Sequence, residues 1–205
     1  MNRLLPFAAV VVVISLPSIA FAHPGHGPAG HGLAGQELGG LVHGLLHPLT
    51  GIDHLLSLIA VAVLSVRLGG RALWAVPAAF LLMGVVGGGV AALGWSLPMA
   101  QTMVVATVLI GGFTLALHRT LPRFLLTAIT VFGLFHGSAH FSELTGSSAV
   151  ALYASGLIAA SLGVMLAVIA TGRWVERSRS NETFATTCRY IGGSLTAAAI
   201  ALMLF

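Results

Sequence analysis

From residue 39 to residue 205 the chain is a succession of six apolar stretches, roughly 39–66, 72–94, 97–117, 123–142, 148–172 and 185–205. Each is near the ~20 residues that a helix needs to cross a bilayer. In lipid every backbone N–H and C=O must be satisfied inside the protein, so stretches of this length are expected as helices. Charged residues make up only 7% of the chain, whereas a soluble domain carries about 25%. So little charge cannot clothe a surface that faces water. The expected fold is an all-α integral membrane protein, with residues 39–205 forming one bundle of six transmembrane helices.

Two shorter segments precede the bundle. Residues 1–22 place Arg3 before an apolar run from Leu4 to Leu16 and end Ser18-Ile19-Ala20-Phe21-Ala22. This is the pattern of a secretory signal peptide cleaved after Ala22; an uncleaved anchor helix is the competing reading, against which Pro17 interrupts the run. Residues 23–38 are rich in Gly, Pro and His, including His23, His26 and His31. They are expected to form a flexible periplasmic arm, either collecting metal ions or serving as a plain tether.

With the signal removed, the loops after spans one, three and five face the cytoplasm. Those loops carry Arg67 and Arg71, then Arg119 and Arg123, then Arg173, Arg177 and Arg179, whereas the opposite loops have no Arg or Lys. This asymmetry obeys the positive-inside rule. It predicts a multi-pass protein of the bacterial inner membrane with both mature termini in the periplasm.

The formal charge of +4 comes from nine arginines and no lysine, scattered at segment ends. That distribution sets topology and offers no stripe for nucleic acid. Cys188 is the single cysteine, which excludes an intrachain disulfide and a multi-cysteine metal site. The glycines at 84, 87, 88, 89, 111 and 112 are expected to let helices approach closely.

Nine histidines beside five acidic residues are the unusual part of the composition. The first span holds His43 and then His47-Pro48-Leu49-Thr50-Gly51-Ile52-Asp53-His54. Ionisable groups at membrane depth cost at least a few kcal/mol each, so they mark function by default. On a straight helix His43, His47 and His54 share one stripe. His47 and His54 would then lie roughly 10 Å apart along the axis, beyond one ion with ligand distances of about 2 Å. Two arrangements follow: the helix opens around Pro48 and Gly51, or the histidines mark successive stations on a path. A buried Asp53–His54 pair that merely joins helices is the structural alternative.

The fourth span ends His136-Gly137-Ser138-Ala139-His140-Phe141-Ser142-Glu143. His136 and His140 are spaced to share a helix face and chelate one ion, and Glu143 continues that face. By span direction both motifs lie in the outer half of the membrane and should meet. Imidazole and carboxylate donors without thiolate suit nickel, cobalt or zinc.

These residues resemble the HupE/UreJ family of nickel and cobalt permeases. The resemblance rests on the signal peptide followed by His23-Pro24-Gly25-His26, on His47-Pro48-x-x-Gly51-x-Asp53-His54, and on His136-Gly137-x-Ala139-His140-x-x-Glu143. It covers essentially the whole chain. The first motif is also similar to the His-x4-Asp-His signature of larger nickel/cobalt transporters, with five residues between His47 and Asp53 here.

The resemblance implies a permease, not an enzyme, that moves Ni²⁺ or Co²⁺ from periplasm to cytoplasm for hydrogenase, urease or cobalamin assembly. It implies a core of His47, Asp53 and His54, with His136, His140 and Glu143 as partners and His43 and His23 further out. The ion is cargo, and no permanently bound cofactor is expected. The other partners are the bilayer and, as an open case, a second copy of the chain. No nucleotide-binding loop occurs, so facilitated diffusion is the expected mode. Two other functions compete: a membrane cytochrome with histidine axial ligands to haem, and an intramembrane hydrolase using Ser138 or Ser142. Asp53 and Glu143 favour a cation over haem, and no Gly-x-Ser-x-Gly turn supports the hydrolase.

Overall fold

The first apolar stretch carries its own break. Pro48 offers no N–H to the helical ladder, and the Thr50 hydroxyl turns back onto the carbonyls of Leu46 and His47, at 3.2 Å each. The helix stops at Thr50. Gly51 takes extended backbone (φ −79°, ψ 101°), and a new helix starts at Ile52, bent 72° from the first. The expected single span over 39–66 is therefore two helices, and the reading in which the chain opens near Gly51 is the one that the fold adopts.

The computed structural model describes residues 33–117, 123–141 and 147–204. The expected signal peptide, the arm up to residue 32 with His23, and Glu143 lie outside the described residues. Within them every regular element is a helix: α1 (Leu33–Thr50), α2 (Ile52–Leu68), α3 (Ala72–Ala92), α4 (Ala100–Ala116), α5 (Arg123–Phe141), α6 (Ser147–Ser178) and α7 (Asn181–Leu204). α1 begins ahead of residue 39, inside the segment expected as arm.

α2 is the axis of the molecule. Every residue from His54 to Val66 is buried, because α3, α4, α6 and α7 all pack on it. A helix that is apolar all round needs such a sheath. Its core partners include Phe80 of α3, Val105 and Val108 of α4, Met165 and Ile169 of α6, and Leu195 of α7. Around this axis the outer helices pair through glycine. A Cβ on Gly137 would collide with the Gly84 carbonyl, joining α5 to α3. One on Gly44 would collide with the Tyr153 carbonyl, joining α1 to α6, and Gly112 and Gly192 join α4 to α7 in the same way. Backbone contact of this kind supplies the packing that drives helix association in lipid. Gly89, expected to act likewise, faces open space.

Three helices are by themselves long and apolar enough to cross a membrane: α3, residues 150–178 of α6, and α7. The bent pair α1–α2 makes a fourth, and α4, with 17 residues, is shorter. Among the described residues, then, three helices, or four units with the bent pair as one, meet the criterion, where six spans were expected.

The two ends of the bundle differ. At one, Arg67 at the end of α2 donates from Nη1 to the Thr114 and Leu115 carbonyls (3.1 and 2.7 Å) and from Nη2 to Leu117 O (2.6 Å). A guanidinium on the last carbonyls of α4 satisfies acceptors that the helix leaves open and suits the negative end of its dipole. Trp74 and Trp174 lie exposed toward this end, where α3 starts and α6 finishes, and Trp95 lies exposed at the other. Tryptophans at both ends match the aromatic belts of membrane proteins.

Candidate metal centre

The break between α1 and α2 is where the site forms. His47 occupies the last turn of α1 and His54 the first turn of α2. The 72° bend folds one over the other, so their ring centroids stand 5.6 Å apart, well inside the axial rise of a straight helix. The distance that kept them apart on an unbroken span does not apply.

α5 brings the second motif. His140 stacks near both, with ring centroids 4.6 Å from His47 and 4.1 Å from His54. His136, one turn earlier, lies 4.6 Å from His54 and 5.1 Å from His140. Gly137 lets α5 sit against α3 closely enough to hold these rings on the α2 side. One ligand atom from each of His47, His54 and His140 lies within 4.8 Å of the other two. The four rings belong to three helices and two motifs about 90 residues apart in sequence, which the shared depth of the motifs anticipated.

The surroundings decide which atoms are free to bind. The Asp53 Oδ1 accepts from the His54 main-chain N–H and from His54 Nδ1, both at 2.9 Å. An ionised carboxylate only accepts, so Nδ1 carries a proton, and in the neutral ring Nε2 then keeps the lone pair. The other Asp53 oxygen accepts from the Gln101 amide at the start of α4. Asp53 thus orients a histidine in the manner of the carboxylate–histidine pairs behind metal sites. It also stands in the first turn of α2, where a negative charge offsets the positive end of the helix dipole.

Among the described residues, His54 Nε2 and both ring nitrogens of His136 and of His140 are buried without a hydrogen-bond partner. Burying one such atom unpaired costs about 1–3 kcal/mol. A cluster of them has a physical reason to exist if a cation takes up the lone pairs.

His43 is exposed, its ring 5.9 Å from that of His47. Two contributors escaped the sequence reading. Gln101 holds Asp53, and Tyr153 of α6 touches both His43 and His47 (ring centroids 5.4 and 6.0 Å). Each stands near the first residues of its apolar stretch, at the end of the bundle that holds the histidines, and that was the available signal. Behind the cluster, Phe80 stands 5.3 Å from His136. There a cavity of about 230 Å³ runs between α3, α5 and α6, with walls that are apolar apart from His136, His140 and Ser161. Ser138, a nucleophile candidate in the hydrolase reading, is buried and accepts a hydrogen bond from the Leu97 main-chain N–H (2.9 Å), which ties α5 to the α3–α4 connection.

The family model described as HupE / UreJ protein matches residues 11–202. Protein HupE of Rhizobium leguminosarum bv. viciae is 33% identical over 195 residues, a match covering 94% of this chain and 94% of that protein. No solved structure matches.

Proposed function

The chain belongs to the HupE/UreJ family, and we propose that it is a secondary permease importing divalent nickel or cobalt across the bacterial inner membrane. In this reading it crosses the membrane six times, α1 and α2 together make one broken crossing, and both mature ends lie outside. His47, His54, His136 and His140 are the ligands. Asp53 orients His54 and supplies negative charge, while His43, with His23 and Glu143, receives the ion from the periplasm. Zinc suits the same donors.

The observation that carries this reading is the set of five buried, unpartnered histidine nitrogens beside His47. Interrupted helices at ion sites are a recurring device of secondary transporters, because irregular backbone is tolerated where it lines a site. The ion exchanges water for imidazole at the break, and flexing about Gly51 passes it inward. The membrane potential, worth about 2.3 kcal/mol per charge per 100 mV, favours entry of a cation. The haem alternative needs imidazoles that face each other across a macrocycle, whereas these rings lie in direct contact.

The test is saturable uptake of radioactive nickel and, separately, cobalt into cells. Wild type is compared with His47→Ala, His54→Ala and His140→Ala at equal membrane abundance. The expected result is uptake of at least one ion by wild type and its loss in all three variants. Absence of uptake by wild type, or full uptake by the variants, would sink the proposal.

A further inference from the structure

We propose that Tyr153 is a positioning residue that holds His47 turned inward onto the histidine cluster, and so sets how tightly the ion is taken up. The inference rests on the permease reading and adds to it a residue outside both histidine motifs.

His47 differs from the other three cluster histidines. His54, His136 and His140 are buried, whereas His47 is half-buried at the end of α1. Its imidazole lies near the His54 and His140 rings, at 5.6 and 4.6 Å. Outside that cluster its ring neighbours are Tyr153 at 6.0 Å, edge-on with an interplanar angle of 73°, and His43 at 5.9 Å. His43 is exposed, but Tyr153 is only 3% exposed. Of the two outer neighbours, Tyr153 is therefore the rigid one.

Its rigidity comes from the backbone beneath it. The Tyr153 carbonyl lies so close to Gly44 that a Cβ there would overlap it, and Gly156 meets Leu41, Gly44 and Leu45 equally closely. α1 and α6 are thus in backbone contact over the two turns that precede His47. The tyrosine's backbone cannot withdraw without separating two helices, and its ring is buried at 3% exposure. A ring fixed in this way is a wall, and it denies His47 the rotamers that point away from the cluster.

A side chain of this type has three staggered wells at χ1 alone. If the wall is removed, only a fraction of molecules hold His47 inward at any moment, and apparent affinity falls by that fraction. The expected loss is roughly three- to tenfold. The maximal rate is set with the ion already bound and His47 engaged, so it should change little.

The experiment compares wild type, Tyr153→Phe and Tyr153→Leu. One readout is nickel uptake, resolved into KM and maximal rate. The other is titration of the purified full-length protein with Co²⁺, followed by its visible absorption. Tyr153→Leu should raise KM and the Co²⁺ dissociation constant by roughly three- to tenfold, with the maximal rate within about twofold and unchanged band positions at saturation. Tyr153→Phe, which keeps the wall, should restore wild-type values. If Tyr153→Leu does not accumulate in the membrane, Tyr153→Met takes its place.

The inference is overturned if the Leu variant keeps wild-type KM and Co²⁺ affinity, or if it loses only abundance or maximal rate. It is also overturned if Phe is as impaired as Leu, since the hydroxyl and not the ring would then be responsible. Wild type that binds Co²⁺ but transports neither ion would defeat the permease reading, while the titration would still decide the role of Tyr153.

Discussion

Asp53 binds through both oxygens to protein groups: one receives the two N–H groups of His54, the other the Gln101 amide. Its role therefore runs through the tautomer of His54. Asp53→Asn can present its NH₂ to Nδ1, which would move the ring proton to Nε2 and remove the lone pair that faces the cluster. The expected outcome is a loss of about 10–100-fold in Co²⁺ affinity of the purified protein, the usual cost of losing such a partner. The thermal unfolding temperature should change little. Acidity acts at the same atoms. Imidazole ligates only as the neutral base, so each proton taken up competes with the ion. Uptake at low metal concentration should fall as the medium is acidified; uptake that persists unchanged at every acid pH the cells tolerate would count against histidine ligation. The histidines and Asp53 were legible in the sequence because ionisable groups in apolar stretches stand out. Gln101 and Tyr153 were not, since an uncharged polar residue near the end of a span is unremarkable until a neighbour is known.

The elements divide into a buried axis and paired outer helices, and glycine makes the pairs. Gly137 touches the α3 backbone at Gly84, whereas Gly89 has nothing within 4 Å of an added Cβ. Substituting leucine at the two positions should separate these roles. Gly137→Leu must push α5 away from α3, and overpacking of this kind costs about 1–3 kcal/mol or more. It should lower the unfolding temperature in detergent and, by moving His136 and His140, reduce Co²⁺ binding. Gly89→Leu should leave both nearly unchanged. Equal effects would contradict the packing described. The six apolar stretches could be read from their lengths, as could the weakness near Pro48 and Gly51. The 72° bend could not. Pro and Gly permit a break, but its angle is set by what α1 and α2 pack against, namely α6 for the first and the whole ring of neighbours for the second.

At the scale of the molecule, the arginine-bearing end with Trp74 and Trp174 should face the cytoplasm, and the histidine end with Trp95 the periplasm. Cys188 is buried and should stay silent, so single cysteines introduced at exposed positions can report the sides. Ser96→Cys should react with a membrane-impermeant maleimide in intact cells, and Ser178→Cys only after the membrane is opened. The reverse pattern would invert the topology and with it the direction of the site. By itself, the sequence determined the solvent of this protein and its chemistry. A chain with so little charge must bury its backbone in helices within lipid, and ionisable groups retained there must have partners. Tertiary structure alone decided that His47 and His54 meet, that His136 and His140 join them, and that Asp53 faces His54 and Gln101 and not the cluster directly. Those contacts depend on a bend angle and on backbone approaches at glycine. They are properties of packed helices and not of any one stretch of sequence.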